Sequence, residues 1–298
     1  MIMRSAPADR TVDELCSFGV INLDKPPGPS AHEVTAWIRD MVGADRAAHG
    51  GTLDPKVTGC LPILLGDAVR FAQIFHQTEK EYVAVLELHD TPTGNVESVI
   101  SEFEANLYQK PPKKSAVSRE LRTREVYECT PIEIQSRKVL LRIRCESGTY
   151  IRKLCHDIGL ALGTGAHMGD LRRTTTGPFD DRSLVTMQEV ADGLAYWREG
   201  SEDPPINITD VIAPAEAALT EFPTVTIARS AAQAVQNGAQ VYAPGVITVD
   251  ESLENLSAGE NPTVVCKTKD GTAVCLGTLV GSPDDETGTV VKLERVLV

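Results

Sequence analysis

Apolar residues along this chain change period several times, and each change marks an element. Phe18 to Leu23, FGVINL, is a short apolar run that predicts a strand. It enters DKPPGPS, Asp24 to Ser30, whose Pro and Gly residues predict a turn. Ser30 and Glu33 stand at capping-box spacing. Val34, Trp37, Ile38 and Met41 then recur at helical intervals, and Gly43 suits the helix end. After a second apolar run, Leu61 to Leu65, Asp67 is placed to cap a short helix from Ala68 to Phe75. Tyr82, Ala84, Leu86 and Leu88 alternate, which predicts a strand with one buried face. Val139, Leu141, Ile143 and Cys145 repeat that pattern, with Arg142 and Arg144 on the outer face. Ile151, Leu154, Cys155, Ile158 and Leu162 trace one face of a helix that Gly163 can end.

A second unit is expected from about Phe222. It holds a strand FPTVTI, a helix AAQAVQNGA closed by Asn237-Gly238, and strands TVVCKTK and TAVCLG joined by Asp270-Gly271, a strong hairpin signal. The chain ends on TVVKLERVLV, a further strand. Short strands with tight turns predict a small barrel. Arg198 to Pro205, REGSEDPP, reads as a loop before it. The expected division is a polar extension over residues 1–17, a large unit over 18–220 and a small one over 221–298.

Composition changes the picture in two respects. Net charge is −13 over 298 residues, which at first argues against a polyanionic partner. From Lys110 to Lys153, however, 12 Lys and Arg face 5 Asp and Glu, a local +7 that leaves −20 for the rest. A basic tract inside an acidic protein is the footprint of a nucleic-acid site, although a solvated charged face is the commoner origin of such a run. From Ser201 onward the balance is −9, and the acidic surplus, with 18 Arg against 11 Lys, suits a high-salt cytoplasm. No stretch nears eighteen apolar residues, and the start, MIMRSAPADRTVDEL, lacks a signal-peptide core. The seven cysteines form no CxxC pair and no metal spacing, so reduced core thiols are expected, with neither metal nor disulfide.

Candidate chemistry centres on His49 to Arg70, HGGTLDPKVTGCLPILLGDAVR. Asp54 precedes Pro55, which biases it toward extended or turn geometry and places it on a rigid loop. Taken alone, LDP is more often an Asx-Pro turn whose carboxylate bonds its own backbone. Arg152 falls in the first turn of its helix and off the apolar stripe, where the helix dipole disfavours a cation, so its position needs another reason. The adjacent Cys155-His156 pair offers a thiol nucleophile and base, but helix neighbours do not face each other and Cys155 lies on the buried stripe. Gln109 to Arg124, QKPPKKSAVSRELRTR, is a Pro- and Lys-rich stretch that predicts a mobile loop suited to phosphate contacts.

GTLDPKVTGCLP resembles the signature loop of the TruB/dyskerin family of RNA pseudouridine synthases, and the DPKVTG form is most similar to the archaeal and eukaryotic dyskerin branch. KPPGPS, the KEY tripeptide at Lys80 to Tyr82, GTYIRKLCHDIG and GAHMGDLRRTTTGPF match further family blocks in order, and NGA-x-x-x-x-PGV resembles a PUA domain. The resemblance implies an α+β pseudouridine synthase fold, with a mixed, mostly antiparallel sheet and flanking helices. A PUA-like β-barrel follows, with the N-terminal extension packed back on it. It implies Asp54 as nucleophile, Tyr82 against the target base and in proton transfer, Arg152 paired with Asp54 to keep it ionised, and Leu171 as active-site packing. RNA contacts are expected from Lys25, His49, Lys110, Lys113, Lys114, Arg119, Arg122, Arg144 and Arg172, with Lys25 also supporting the loop, and Arg172 and Arg173 are candidates for RNA or structural contacts. The implied reaction converts uridine to pseudouridine in RNA without cofactor or metal. The implied setting is an H/ACA guide-RNA particle with small Nop-type and Gar-type proteins and a kink-turn-binding protein. A stand-alone tRNA synthase of TruB type and a non-catalytic RNA-binding scaffold are the alternatives.

Overall fold

The computed structural model describes residues 4–110, 120–253, 260–282 and 285–298. Ten strands build the larger sheet. They are β1 (Gly19–Lys25), β2 (Ala47–His49), β3 (Thr58–Leu65), β4 (Lys80–Leu88), β5 (Asn106–Gln109), β6 (Arg122–Gln135), β7 (Lys138–Cys145), β8 (Ala166–Thr176), β9 (Phe179–Asp180) and β10 (Ala213–Pro214). Their order is β10-β1-β3-β8-β4-β7-β6-β5, with β2 added to β3 and β9 to β8. Only β3 and β8 run parallel among these pairs, through Thr58–Arg172 and Gly59–Arg173. That contact brings the strand leaving the Asp54 loop against a strand more than a hundred residues away.

Helices α1 (Val12–Ser17), α2 (Ala31–Val42), α3 (Val96–Ser101), α4 (Ile151–Ala161), α5 (Met187–Glu199) and α6 (Ile208–Val211) flank this sheet, and α7 (Arg229–Gln236) belongs with the second one. The Ser30–Glu33 capping box starts α2, and Gly43 ends it in the left-handed region. The alternation foreseen for β4 and β7 is the observed burial pattern, with Val139, Leu141, Ile143 and Cys145 fully buried. Strand β3 is buried on both faces. Leu61, Ile63 and Leu65 join the main core, while Cys60 and Leu64 join a second cluster with Phe71 and Phe75.

The second sheet has the order β12-β16-β15-β14-β11-β13, from β11 (Thr224–Ile227), β12 (Val241–Tyr242), β13 (Val246–Val249), β14 (Thr263–Lys267), β15 (Ala273–Leu279) and β16 (Thr289–Val296). It curls into a barrel-like form around Val225, Ile227, Val264 and Val290. Val265, Ala273, Leu276 and Leu297 of this unit share the second cluster with Phe18 and Val20. The chain start bridges both units. Arg10 clamps Glu216 through two 2.6 Å hydrogen bonds, and Arg4 donates to the Leu297 carbonyl.

Three local expectations differ from what is seen. Gly66–His76 is a 3-10 run without a side-chain cap. Asp67 is instead ion-paired with Arg4, Arg46 and Arg70, and these three cations compete with its own backbone for the carboxylate. The β14–β15 hairpin closes on Thr268 and Thr272, with Gly271 at φ +87°, rather than on Asp270-Gly271 alone. Helix α5 runs on to Glu199 and stops at Gly200, so the loop begins later than REGSEDPP suggested. Among the described residues no helix is long and apolar enough to cross a membrane.

Candidate active site

Asp54 stands on a turn held from beneath. Val57 donates its N–H to the Asp54 carbonyl at 3.0 Å, and Gly28 donates to Pro55 at 2.9 Å. Lys25 is fully buried at the end of β1, and its ammonium donates to the carbonyls of Pro26, Pro55 and Val57 at 3.0, 2.9 and 2.9 Å. An ammonium has three protons and no acceptor capacity, so three carbonyls satisfy it without a carboxylate. This corrects the placement of Lys25 among the RNA contacts: no donor is left over, and the side chain is out of reach of solvent. Gly59 closes the loop at φ +97°, where an added Cβ would lie 2.2 Å from the Arg173 carbonyl. Only glycine admits that approach of β3 to β8.

The Asp54 carboxylate is ion-paired with the Arg152 guanidinium. It therefore does not cap its own backbone, as an Asx-Pro turn would. The two side chains are 51% and 49% exposed, so the pair faces solvent and is not a buried one. Arg152 reaches it from the first turn of α4. Gln109 fixes the start of that helix, accepting from the Tyr150 N–H at 2.8 Å and donating to the Tyr150 carbonyl at 3.3 Å. The site thus explains a cation at an otherwise unfavourable helix position. The rival thiol site fails: Cys155 is buried and burial pushes its thiol up to about 12, while the His156 ring is exposed.

Tyr82 is buried on β4, opposite Arg173 on β8. Leu171, opposite Ala84, is half-buried against the same core. His49 ends β2, and its ring meets His32 edge-on at 4.8 Å. Burial, then the neighbouring His32 and Arg173, push its imidazole down to about 4. Among the described residues its buried Nδ1 has no hydrogen-bond partner.

The remaining cations separate into classes. Arg172 is bidentate to Asp24 at 3.0 and 2.9 Å, and Arg144 bonds Glu79 at 2.7 Å while lying over the Tyr127 ring. Both spend donors inside the molecule. Lys110 and Arg122 lie at the ends of β5 and β6 and are not ion-paired among the described residues. Lys113, Lys114 and Arg119 lie outside the described residues. No group of three or more His, Cys, Asp or Glu with metal-binding geometry occurs among the described residues.

Two buried cations remain: Lys80, which sequence reasoning missed, and Arg173, which it offers only as a candidate RNA or structural contact. Lys80 donates to the carbonyls of Phe75 and Thr78 at 2.8 and 3.0 Å and to the Thr78 hydroxyl at 2.7 Å. Its signal was legible, because Lys80 is in phase with the inward-facing Tyr82, Ala84 and Leu86. Arg173 is fully buried and donates to the carbonyls of Cys60 at 2.8 Å and Gly51 at 3.1 Å. Neighbours on a strand face opposite ways, so of Arg172 and Arg173 one had to point inward.

Comparison with known proteins decides the family. The model for the N-terminal domain of TruB family pseudouridylate synthases matches residues 39–151, and that for the C-terminal domain of tRNA pseudouridylate synthase B matches 152–220. A DKCLD (NUC011) domain matches 3–35 and a PUA domain 223–297. A probable tRNA pseudouridine synthase B of Haloarcula marismortui is 58% identical over 299 residues, covering 100% of this chain and 94% of the relative. The chain belongs to the TruB family of pseudouridine synthases. A Methanopyrus kandleri member of the same name is 43% identical over 298 residues, covering 98% of this chain and 86% of the relative. Among solved structures, a Cbf5–Nop10–Gar1 complex matches with TM-score 0.90 and 41% identity over 99% of this chain and 90% of that one. An H/ACA RNP bound to a substrate RNA containing 2'-deoxyuridine matches with TM-score 0.89 and 39% identity over the same shares. Asp54 falls within the first of these matched stretches and Arg152 at the start of the second.

Proposed function

We propose that this chain is the catalytic subunit of an H/ACA guide-RNA particle and isomerises chosen uridines to pseudouridine, chiefly in ribosomal RNA. The observation that carries the reading is the whole-length likeness to Cbf5 in a complex with Nop10 and Gar1. Small Nop-type and Gar-type proteins, a kink-turn-binding protein and the guide RNA are the partners it entails. A cytoplasmic location goes with it. Residues 18–220 serve as the catalytic unit, and 221–298 as a PUA-type RNA-binding unit against which 1–17 packs.

The chemistry breaks the N1–C1' bond of uridine, turns the uracil and joins C5 to C1'. C5 loses its proton and N1, freed from the sugar, gains one, so the reaction is redox-neutral. Such a base must leave the stack to react. Asp54 acts as the nucleophile, on the sugar or on the pyrimidine ring, because a carboxylate, here aimed by its ion pair with Arg152, carries the required electron pair. Tyr82 lies against the base, and Leu171 packs beside it. Lys110 and Arg122, with Lys113, Lys114 and Arg119, offer phosphate contacts. Such contacts position RNA without reading sequence, and so suit a guide that reads by pairing.

A second reading, stand-alone action on tRNA, is favoured by the name of the 58%-identical relative. Pseudouridine yield on a fixed ribosomal RNA fragment separates the two. With partner proteins and a matched guide the yield should be high, and changing the guide's pairing sequence should redirect it. Equal yield with matched guide, mismatched guide or none would refute guide direction.

A further inference from the structure

The end of β4 away from the catalytic loop carries a second cluster of titratable side chains. Glu87 faces outward near the end of the strand, and His89 follows two positions on, so both side chains lie on one face of the sheet. His167 on β8 stands directly opposite Glu87 and therefore diagonal to His89. The His89 N–H donates to the Gly165 carbonyl at 3.0 Å, which fixes His89 in that register. His89 Nε2 and His167 Nδ1 lie 3.0 Å apart, and the two rings are tilted by 33°. On the other side of its ring, His167 Nε2 stands 3.6 Å from Glu87 Oε2, while Lys138 on β7 pairs with Glu87 Oε1 at 3.2 Å. Two glycines leave room for the cluster. An added Cβ at Gly165 would lie 3.0 Å from His89 Nδ1, and one at Gly169 would lie 2.9 Å from Glu87 Oε1. Both imidazoles are exposed. His89 is seven positions beyond Tyr82, or about 23 Å at the rise of a strand, so the cluster is separate from the catalytic site.

We infer that His89 and His167 form a bidentate site for a divalent transition cation of the copper or nickel kind. Imidazole nitrogen suits these ions. The separation sets the class. Metal–imidazole bonds of about 2.0–2.1 Å drawn from nitrogens 3.0 Å apart meet at about a right angle. Square-planar and tetragonal Cu(II) and Ni(II) take that angle, whereas a tetrahedral ion needs the nitrogens about 3.4 Å apart. Glu87 supplies the support behind the ligand. It faces His167 Nε2 and holds the ring proton there, which leaves the Nδ1 lone pair for the ion. In the metal-free chain His89 Nε2–H donates to that lone pair. On binding, His89 Nε2 gives its proton to water and Nδ1 takes one from water, so the ring stays neutral and both facing nitrogens become ligands. Glu87 favours a cation over an anion at this place, and water fills the remaining positions of the ion. The histidines are 78 residues apart, so no local spacing marks them in the sequence.

The test is isothermal titration of the tag-free, chelator-stripped chain with NiCl₂ at about pH 8, where imidazole is neutral. One Ni²⁺ per chain is expected. His89→Ala and His167→Ala should each lower its affinity at least about tenfold. Glu87→Gln keeps both ligands and should lower it about tenfold, the lower end for a residue behind a ligand. His156→Ala removes an exposed imidazole elsewhere and should leave it unchanged. Ni²⁺ should also raise the Tm of the parent but not of either histidine variant, because only the folded chain holds the two rings together. Absence of saturable binding overturns the inference, as does parent affinity in either histidine variant or an equal loss on His156→Ala. If an alanine variant does not fold, the glutamine variant takes its place, and failure of both to fold makes the histidines structural and overturns the inference too. Long-range ¹⁵N–¹H correlation of the metal-free chain should place the His167 proton on Nε2, and a proton on Nδ1 would refute the site. Pseudouridine formation by the metal-free chain should be the same in His89→Ala and the parent, so failure of the proposed function leaves this test intact.

Discussion

Two ion pairs in this molecule should answer the same substitution in opposite ways. Arg152 and Asp54 are 49% and 51% exposed. A pair that open to water contributes about 0.2–1 kcal/mol. Arg152 also stands in the first turn of α4, where a cation costs about 0.3–1 kcal/mol against the helix dipole. The two terms offset, so Arg152→Ala should leave stability nearly unchanged. In a chain of this size that is a shift of no more than about 2–4 °C in Tm. The rate should fall far more. Without its partner the Asp54 carboxylate is free to rotate, and misplacing a reacting group by about 1 Å costs on the order of a hundredfold. Arg10 and Glu216 are 0% and 8% exposed, and Glu216 also accepts from the Ala273 N–H at 3.0 Å. Arg10→Ala strands a buried carboxylate, at a cost of about 3–5 kcal/mol. Its Tm should fall by about 10 °C or more, while the folded fraction keeps its rate. Release of tritium from 5-³H-uridine RNA reads the chemistry, because C5 must lose its hydrogen, and thermal unfolding reads the stability. An Arg152→Ala protein working within threefold of the parent would show that Arg152 does not aim Asp54. A Tm loss as large as that of Arg10→Ala would show that the Arg152–Asp54 pair is a structural one.

Asp54→Asn keeps size and hydrogen bonding but removes the charge, so RNA binding by filter retention should persist while pseudouridine formation disappears; normal turnover by the folded variant would end the nucleophile assignment. His49 is held neutral, with its imidazole pushed from the usual value near 6.5 down to about 4. Its contribution is present above pH 6.5 and lost as pH falls toward 4, by up to about 3 kcal/mol. The parent should therefore lose Tm more steeply than His49→Gln across that window, and parallel curves would refute this. Gly59→Ala must move β3 away from the Arg173 carbonyl and hold alanine at φ +97°. A loss of at least about 2 kcal/mol by chemical denaturation is expected, together with reduced turnover.

Periodicity along the chain determined most of the elements near the site. The Ser30–Glu33 cap, the inward set of β4 and β7, and the apolar stripe of α4 are local properties, carried by residues within a few positions of each other. The motif blocks likewise marked Asp54, Tyr82 and Arg152 one by one. What local pattern could not decide was which side chains share a space. Long-range pairing of β8 with both β3 and β4 put Arg173 between Tyr82 and Gly59. Folding of β1 under the loop turned Lys25 from a surface cation into a buried support for three carbonyls. A charged residue reads as solvent-facing in sequence because burying it alone is unfavourable. Only the tertiary structure supplies the acceptors that satisfy it. The same holds in reverse for Arg152 and Asp54. Motif and helix position pointed to the pair, but its openness to water depends on how α4 and the loop meet, and that openness sets how little its loss should cost in stability.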